Sequence, residues 1–185
     1  MFIIDGSINS TVLDEYCSIV RQHFHEKGKW KTLESLEWCD RNMTLDVNDK
    51  LVGLVKDIIE SKLRVELTCT ECELCSWPKG TESGFHVHDY KPYNVDGNLR
   101  EPTDYNSILY LNDNFSGGEF ITGKSTVDPT YGIPHGNNRE EGITIKPKKG
   151  RLTFFDGMAV PHGLNKVIGN TRHTALFWWS NTKFY

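Results

Sequence analysis

The sequence has no long apolar run: nothing in its 185 residues approaches the ~18 consecutive hydrophobic positions of a helical membrane span. The opening Met1-Phe-Ile-Ile-Asp5 has neither the basic region nor the length of a signal peptide, so a soluble cytoplasmic protein is expected. A basic excess is also missing. With 21 Lys and Arg against 25 Asp and Glu, the formal charge is −4 and the pI is near 6.0, which leaves no electrostatic footprint for nucleic acid. No internal repeat, low-complexity tract or linker divides the chain. A full disulfide framework is excluded by the odd number of cysteines, five in all.

Three of those cysteines, Cys69, Cys72 and Cys75, form a C-x-x-C-x-x-C array with no fourth ligand nearby in sequence. Zinc or an iron-sulfur cluster would need that fourth ligand. The surrounding stretch, Val65 to Trp77, largely alternates polar and apolar residues, which predicts a half-buried strand in a protein that keeps its thiols reduced.

What is present suffices for one core. At this length a chain with 37% hydrophobic and 11% aromatic residues buries roughly 70% of its unfolded surface. A single domain over residues 1–185 is expected, with a helical part over 1–64 and a β-core over 65–185. After a short apolar strand, Leu13, Tyr16, Cys17, Val20 and Phe24 follow the three-to-four spacing of a buried helix face, capped at Ser10 or Thr11 and closed by Gly28. A second helix is predicted over Val47 to Leu63, with Leu51, Leu54, Val55, Ile58 and the stem of Lys62 on its inner edge. The segment Trp30 to Met43 carries no readable pattern.

Strand signals then repeat over Val65–Trp77, Gly84–His88, Tyr105–Asn112, Gly118–Thr122, Gly142–Ile145, Arg151–Phe155, Leu164–Ile168 and Thr171–Trp179. This order predicts a mostly β fold: a jelly roll with two N-terminal helices packed outside it. The stretch Gly123 to Glu141, rich in glycine and proline, reads as a lid or binding loop. It contains Pro134-His135-Gly136, where His135 reads as an exposed turn residue in preference to a substrate contact.

Two segments carry chemistry. In Gly84-Phe-His86-Val-His88-Asp89-Tyr90, residues two apart on a strand share a face, so His86 and His88 can serve one ion, with His162 of Pro161-His162-Gly163 as a third ligand. Asp89 points away unless a bulge turns it. Arg172 follows ten residues after His162, and its neighbour His173 should face the opposite side of the strand. If Gly169-Asn170 is a two-residue turn, Arg172 stands opposite Val167, roughly 16 Å from His162 along an ideal strand. A small dicarboxylate held by a metal on His162 would fill that gap. Arginine suits a carboxylate because its planar fork pairs with both oxygens and stays charged at any relevant pH.

Taken together, Trp77-Pro-Lys-Gly80, Ser107 to Asp113, Gly117-Gly118-Glu-Phe120, Ile145 to Phe155, Pro161-His162-Gly163 and Arg172 resemble the iron(II)- and 2-oxoglutarate-dependent dioxygenases, within them the prolyl-hydroxylase-like branch. The resemblance runs from about Trp77 to the C-terminus. It implies a double-stranded β-helix, iron on His86 and His162, Arg172 against the distal carboxylate of 2-oxoglutarate with Tyr110 helping, and Trp178 as an aromatic wall. It further implies Fe(II), 2-oxoglutarate and O2, with ascorbate as reductant. The reaction would couple decarboxylation of 2-oxoglutarate to succinate with hydroxylation of a C–H bond in a peptide or small-molecule substrate, peptidyl proline being the best choice.

In one respect the sequence departs from the family. The family pattern is His-x-Asp, and here His88 stands where the carboxylate belongs, with Asp89 one residue late. Two ligand sets remain open: His86, His88 and His162, or a bulge that substitutes Asp89 for His88. Two other functions stay in contention, a non-catalytic jelly-roll binding module and a metal-dependent β-barrel enzyme that does not use 2-oxoglutarate.

Overall fold

The computed structural model describes residues 1–28, 42–88, 105–123 and 142–181. Strand β1 (Phe2–Ile4) leads into helix α1 (Ser10–Gly28), followed by β2 (Asn42–Thr44) and α2 (Lys50–Leu63). Leu13, Tyr16, Cys17 and Val20 form the buried face of α1, as their spacing predicts. Its cap, however, is Asn9, one residue ahead of the expected Ser10 or Thr11. The Asn9 side chain accepts from the Thr11 amide at 2.8 Å, a role for which an amide oxygen is as good as a hydroxyl.

Helix α2 begins at Lys50, three residues later than expected, because Asp49 supplies the cap by accepting from the Leu51 amide. It ends at Arg64, whose left-handed φ of 56° lets its amide reach the Glu60 carbonyl. The buried stripe is Leu51, Val52, Val55 and Ile59, while Leu54 and Lys62 face solvent. Leu51-Val52 and Ile58-Ile59 allow either of two adjacent stripes, and docking on the sheet selects the one through Val52 and Ile59. The Tyr16 hydroxyl donates to the Asp49 carboxylate and ties the two helices together.

The rest of the described chain is β-structure: β3 (Leu67–Trp77), β4 (Ser83–His86), β5 (Tyr105–Tyr110), β6 (Ser116–Gly117), β7 (Phe120–Thr122), β8 (Thr144–Ile145), β9 (Leu152–Phe155), β10 (His162–Leu164), β11 (Val167–Ile168) and β12 (Arg172–Asn181). A six-stranded antiparallel sheet runs β1-β9-β5-β12-β3-β2, a four-stranded sheet runs β4-β10-β7-β8, and β11 pairs with β6. Both helices cover one face of the large sheet, where Cys72, Leu74, Leu109, Phe177 and Trp179 pack against Leu13, Val20, Leu51 and Val55. The other face meets the small sheet through Ile108, Tyr110, Phe120 and Phe155, and through Cys75, Trp77, Leu164 and Val167. The fold is the expected jelly roll with two helices outside. Among the described residues no helix is long and apolar enough to cross a membrane.

Several local expectations change. Strand β3 loses its alternation after Glu71, since Cys72, Leu74, Cys75, Ser76 and Trp77 are all buried. With helices on one side and the small sheet on the other, this second half of the strand has no solvent face. Steps of three residues on a strand alternate faces, so Cys72 joins the helix-side core and Cys75 the core between the sheets. The three thiols therefore do not converge.

The predicted strand Leu164–Ile168 is split between β10 and β11. Val167 pairs with Gly117, and Arg172 pairs with Trp77, so Gly169-Asn170 is a crossover between sheets and the expected hairpin does not form. Ten residues of β12 find partners along β3, a longer ladder than a hairpin onto β11 could give. Glycine is needed at the crossover, where Gly169 has φ of 80°.

Candidate metal centre and carboxylate pocket

His162 begins β10 and is the direct cross-strand partner of His86, the last residue of β4. His88 lies beyond the end of β4, so strand parity does not place it. Its backbone amide donates to the Gly157 carbonyl at 2.8 Å. Even so, the three rings converge: centroids lie 4.4 Å apart for His86 and His162 and 4.8 Å apart for His88 and His162. One ligand atom from each of the three lies within 4.8 Å of the others. Asp89 and His135 lie outside the described residues, as does nearly all of Gly123 to Glu141.

Each ring turns its Nδ1 to an oxygen: His86 to the Gly84 carbonyl at 3.0 Å, His88 to Asn106 Oδ1 at 2.9 Å, and His162 to the Val160 carbonyl at 2.8 Å. Carbonyl oxygens only accept, so each Nδ1 carries a proton and each neutral ring has its lone pair on Nε2. The Nε2 atoms of His88 and His162 are 3.2 Å apart. Imidazole nitrogens ~2.1 Å from one metal ion and ~90° apart would sit ~3 Å from each other. Two lone pairs at this distance repel unless a cation lies between them. Burial, reinforced by His86 and His88, pushes the His162 pKa down to about 3 and so keeps its ring neutral. Phe120 and Phe155 flank that ring at 5.5 and 4.8 Å and keep its surroundings apolar. The donor set fits a first-row divalent metal.

A cavity of about 260 Å³ joins this cluster to Arg172 and is also lined by Phe155 and Trp178. Arg172 is 2% exposed, with its guanidinium carbon 5.0 Å from the centre of the Tyr110 ring and 5.6 Å from that of Trp77. Its Nε, the Tyr110 hydroxyl and the Thr174 hydroxyl are all buried without a hydrogen-bond partner among the described residues. Burying a cation without a carboxylate is costly, and no ion pair involves Arg172 among the described residues. These orphaned donors fit the carboxylate of a ligand lying between Arg172 and the histidines. Gly118, with φ of 65°, makes room for the arginine stem, since a Cβ there would lie 3.1 Å from Arg172 Cδ. Trp178 is half-buried and stacks beside His88 with centroids 6.3 Å apart. His173 faces away from Arg172 and is hydrogen-bonded to Ser76.

Sequence reasoning missed Asn106, Gly157 and Thr174. Two of them had a signal: Asn106 heads the alternating row Asn106-Ile108-Tyr110, and Thr174 belongs to Arg172-Thr174-Leu176-Trp178, both on the face toward the small sheet. Gly157 had none, because its role depends on two residues remote in sequence.

The sequence model of the 2OG-Fe(II) oxygenase superfamily matches residues 74–180. Prolyl 3-hydroxylase 2 of Homo sapiens is 32% identical over 83 residues, which cover 44% of this chain and 10% of that protein. The chain thus matches only a small part of these curated relatives. Among solved structures, a Trichoplax adhaerens prolyl hydroxylase in complex with a hypoxia inducible factor oxygen degradation domain peptide superposes with TM-score 0.67 at 15% identity, over 98% of this chain and 84% of that one. A Pseudomonas putida prolyl-4-hydroxylase superposes with TM-score 0.62 at 16% identity, over 97% and 91% of the two chains. The chain belongs to the 2OG-Fe(II) oxygenase superfamily.

Proposed function

We propose that the chain hydroxylates a C–H bond of a prolyl residue in a peptide, with Fe(II) on His86, His88 and His162 and the distal carboxylate of 2-oxoglutarate on Arg172. The observation that carries this reading is a cavity that joins three imidazoles to a buried arginine with no carboxylate partner among the described residues. The choice of a peptidyl proline is supported by the prolyl 3-hydroxylase match and by the peptide complex of the Trichoplax relative.

Bound iron and 2-oxoglutarate supply the oxidising chemistry: O2 places one oxygen atom in the product alcohol and the other in succinate, with release of CO2. The protein holds and shields these groups. Three neutral rings, fixed through their Nδ1 protons, leave a centre with the full charge of the metal. A carboxylate ligand would have reduced that charge by one. One carboxylate of 2-oxoglutarate would lower that charge by one, while the other would be balanced by the fork of Arg172, with the Tyr110 and Thr174 hydroxyls as further donors. Phe120, Phe155, Ile108 and Leu176 exclude water from the space between. Trp178 stands beside His88 as the wall on that side.

The test is purified protein with Fe(II), ascorbate and 2-oxoglutarate, with and without a proline-containing peptide. Succinate formation stimulated by the peptide, together with gain of one oxygen atom on its proline, is the expected result. Succinate without peptide oxidation moves the substrate elsewhere. Absence of 2-oxoglutarate binding leaves the non-catalytic module.

A further inference from the structure

The position that departs from the family pattern is held by an arrangement of its own. His88 lies outside the strand that ends at His86, so the sheet does not orient its ring. Two hydrogen bonds do: its amide to the Gly157 carbonyl at 2.8 Å, and its Nδ1 to Asn106 Oδ1 at 2.9 Å. Asn106 is itself fixed, being 5% exposed in β5 and paired with Phe155 on one side and Trp178 on the other. Gly157 lies so close that a Cβ there would fall 1.9 Å from Asn106 Oδ1 and 2.8 Å from His88 Nδ1. Both atoms belong to side chains, so a larger residue at 157 would have to push Asn106 or His88 aside and break the hydrogen bond between them.

From this geometry we infer that Asn106 is the positioning residue of the metal centre. Its amide oxygen holds His88 in the Nδ1–H tautomer with Nε2 toward His162, and Gly157 provides the space in which this happens. The inference rests on the reading of His86, His88 and His162 as metal ligands. An outer oxygen on the second nitrogen of a metal-binding imidazole fixes the tautomer, aims the ring and raises its basicity. The Val160 and Gly84 carbonyls do this for His162 and His86 from the backbone. For His88 the oxygen comes from a side chain, which makes it the one such contact that substitution can remove.

The probe is Co(II) added to the metal-free protein, read by calorimetry and by the visible absorption of the bound ion. Asn106→Leu should weaken Co(II) binding ~10–100-fold and alter the spectrum, as expected for loss of an outer hydrogen bond to a ligand. Asn106→Asp retains the accepting oxygen and should bind at least as tightly as the native protein. Gly157→Ala should reproduce the loss. Nitrogen-15 NMR of the native metal-free protein gives a test that needs no variant, with His88 expected as the Nδ1–H tautomer. A His88 carrying its proton on Nε2, or an Asn106→Leu variant with native affinity and spectrum, overturns the inference. His162→Ala separates the two levels. If it too binds Co(II) normally, the ligand reading itself fails; if it loses the ion while a folded Asn106→Leu variant does not, only the positioning role is lost.

Discussion

His162 and His86 face each other as direct partners across the β10–β4 pair, whereas Arg172 is locked into the other sheet opposite Trp77. The small sheet thus carries two of the three imidazoles and the large sheet the proposed carboxylate anchor. The cavity lies between the two layers. Metal affinity and cosubstrate affinity should therefore respond to different substitutions.

Replacing His162 or His86 by alanine should lower Fe(II) affinity by more than about 100-fold, beyond the ~10–100-fold of an outer-contact loss, while far-UV circular dichroism stays native. Calorimetric titration with Fe(II) under anaerobic conditions measures it. Affinity within threefold of the native value would show that the imidazole cluster is not the metal centre. A triple replacement of Cys69, Cys72 and Cys75 by serine should leave Fe(II) affinity unchanged in any folded product, because Cys75 lies on the opposite face of β3 from Cys69 and Cys72.

Arg172→Gln should weaken 2-oxoglutarate binding to the metal-loaded protein by roughly 30-fold or more, as expected from ~2–5 kcal/mol for truncating one partner of a buried charge pair. Metal affinity should hardly change. Arg172→Lys should recover only part of the loss, since an ammonium lacks the bidentate fork. Equal 2-oxoglutarate affinity in all three proteins would remove Arg172 from the pocket's function.

Gly118→Ala combines a left-handed φ of 65° with a Cβ 3.1 Å from Arg172 Cδ and 3.3 Å from Val167 Cγ2. It should cost about 1–2 kcal/mol in denaturant unfolding and also raise the dissociation constant for 2-oxoglutarate by displacing the arginine stem. A loss of stability with native cosubstrate binding would confine Gly118 to a backbone role.

Glu73 accepts from Asn42 Nδ2 at 2.8 Å on the face of β3 toward the small sheet. Burial, followed by repulsion from Glu71, raises its pKa from 4.5 to about 7. Between those values the folded state holds a proton that the unfolded chain has released. Stability associated with Glu73 is therefore complete below pH 4.5 and lost as pH rises through about 7. Glu73→Gln keeps the acceptor and removes the charge. It should be more stable than the native protein at pH 8 by about 1 kcal/mol after allowance for solvent screening, and no more stable at pH 4.5. An equal difference at both pH values would contradict this titration.

Much of this was legible in the chain because local periodicity reports which face an element buries. The spacing of Leu13, Tyr16, Cys17 and Val20 determined the face of α1, and repeated short β-signals after two helices determined the jelly-roll class. The ordered motifs around His86, His162 and Arg172 determined where chemistry had to be sought. Periodicity does not determine partners. Whether Arg172 would meet Val167 or Trp77 was decided by the length of ladder that β12 could form with β3, a comparison of long-range pairings with no local signature. The same holds for His88. Parity places it on the right side only if the strand continues, and the strand stops at His86. The ring reaches the other histidines because Asn106 and Gly157, remote in sequence, close around it, and contacts of that kind exist only after the sheets have packed.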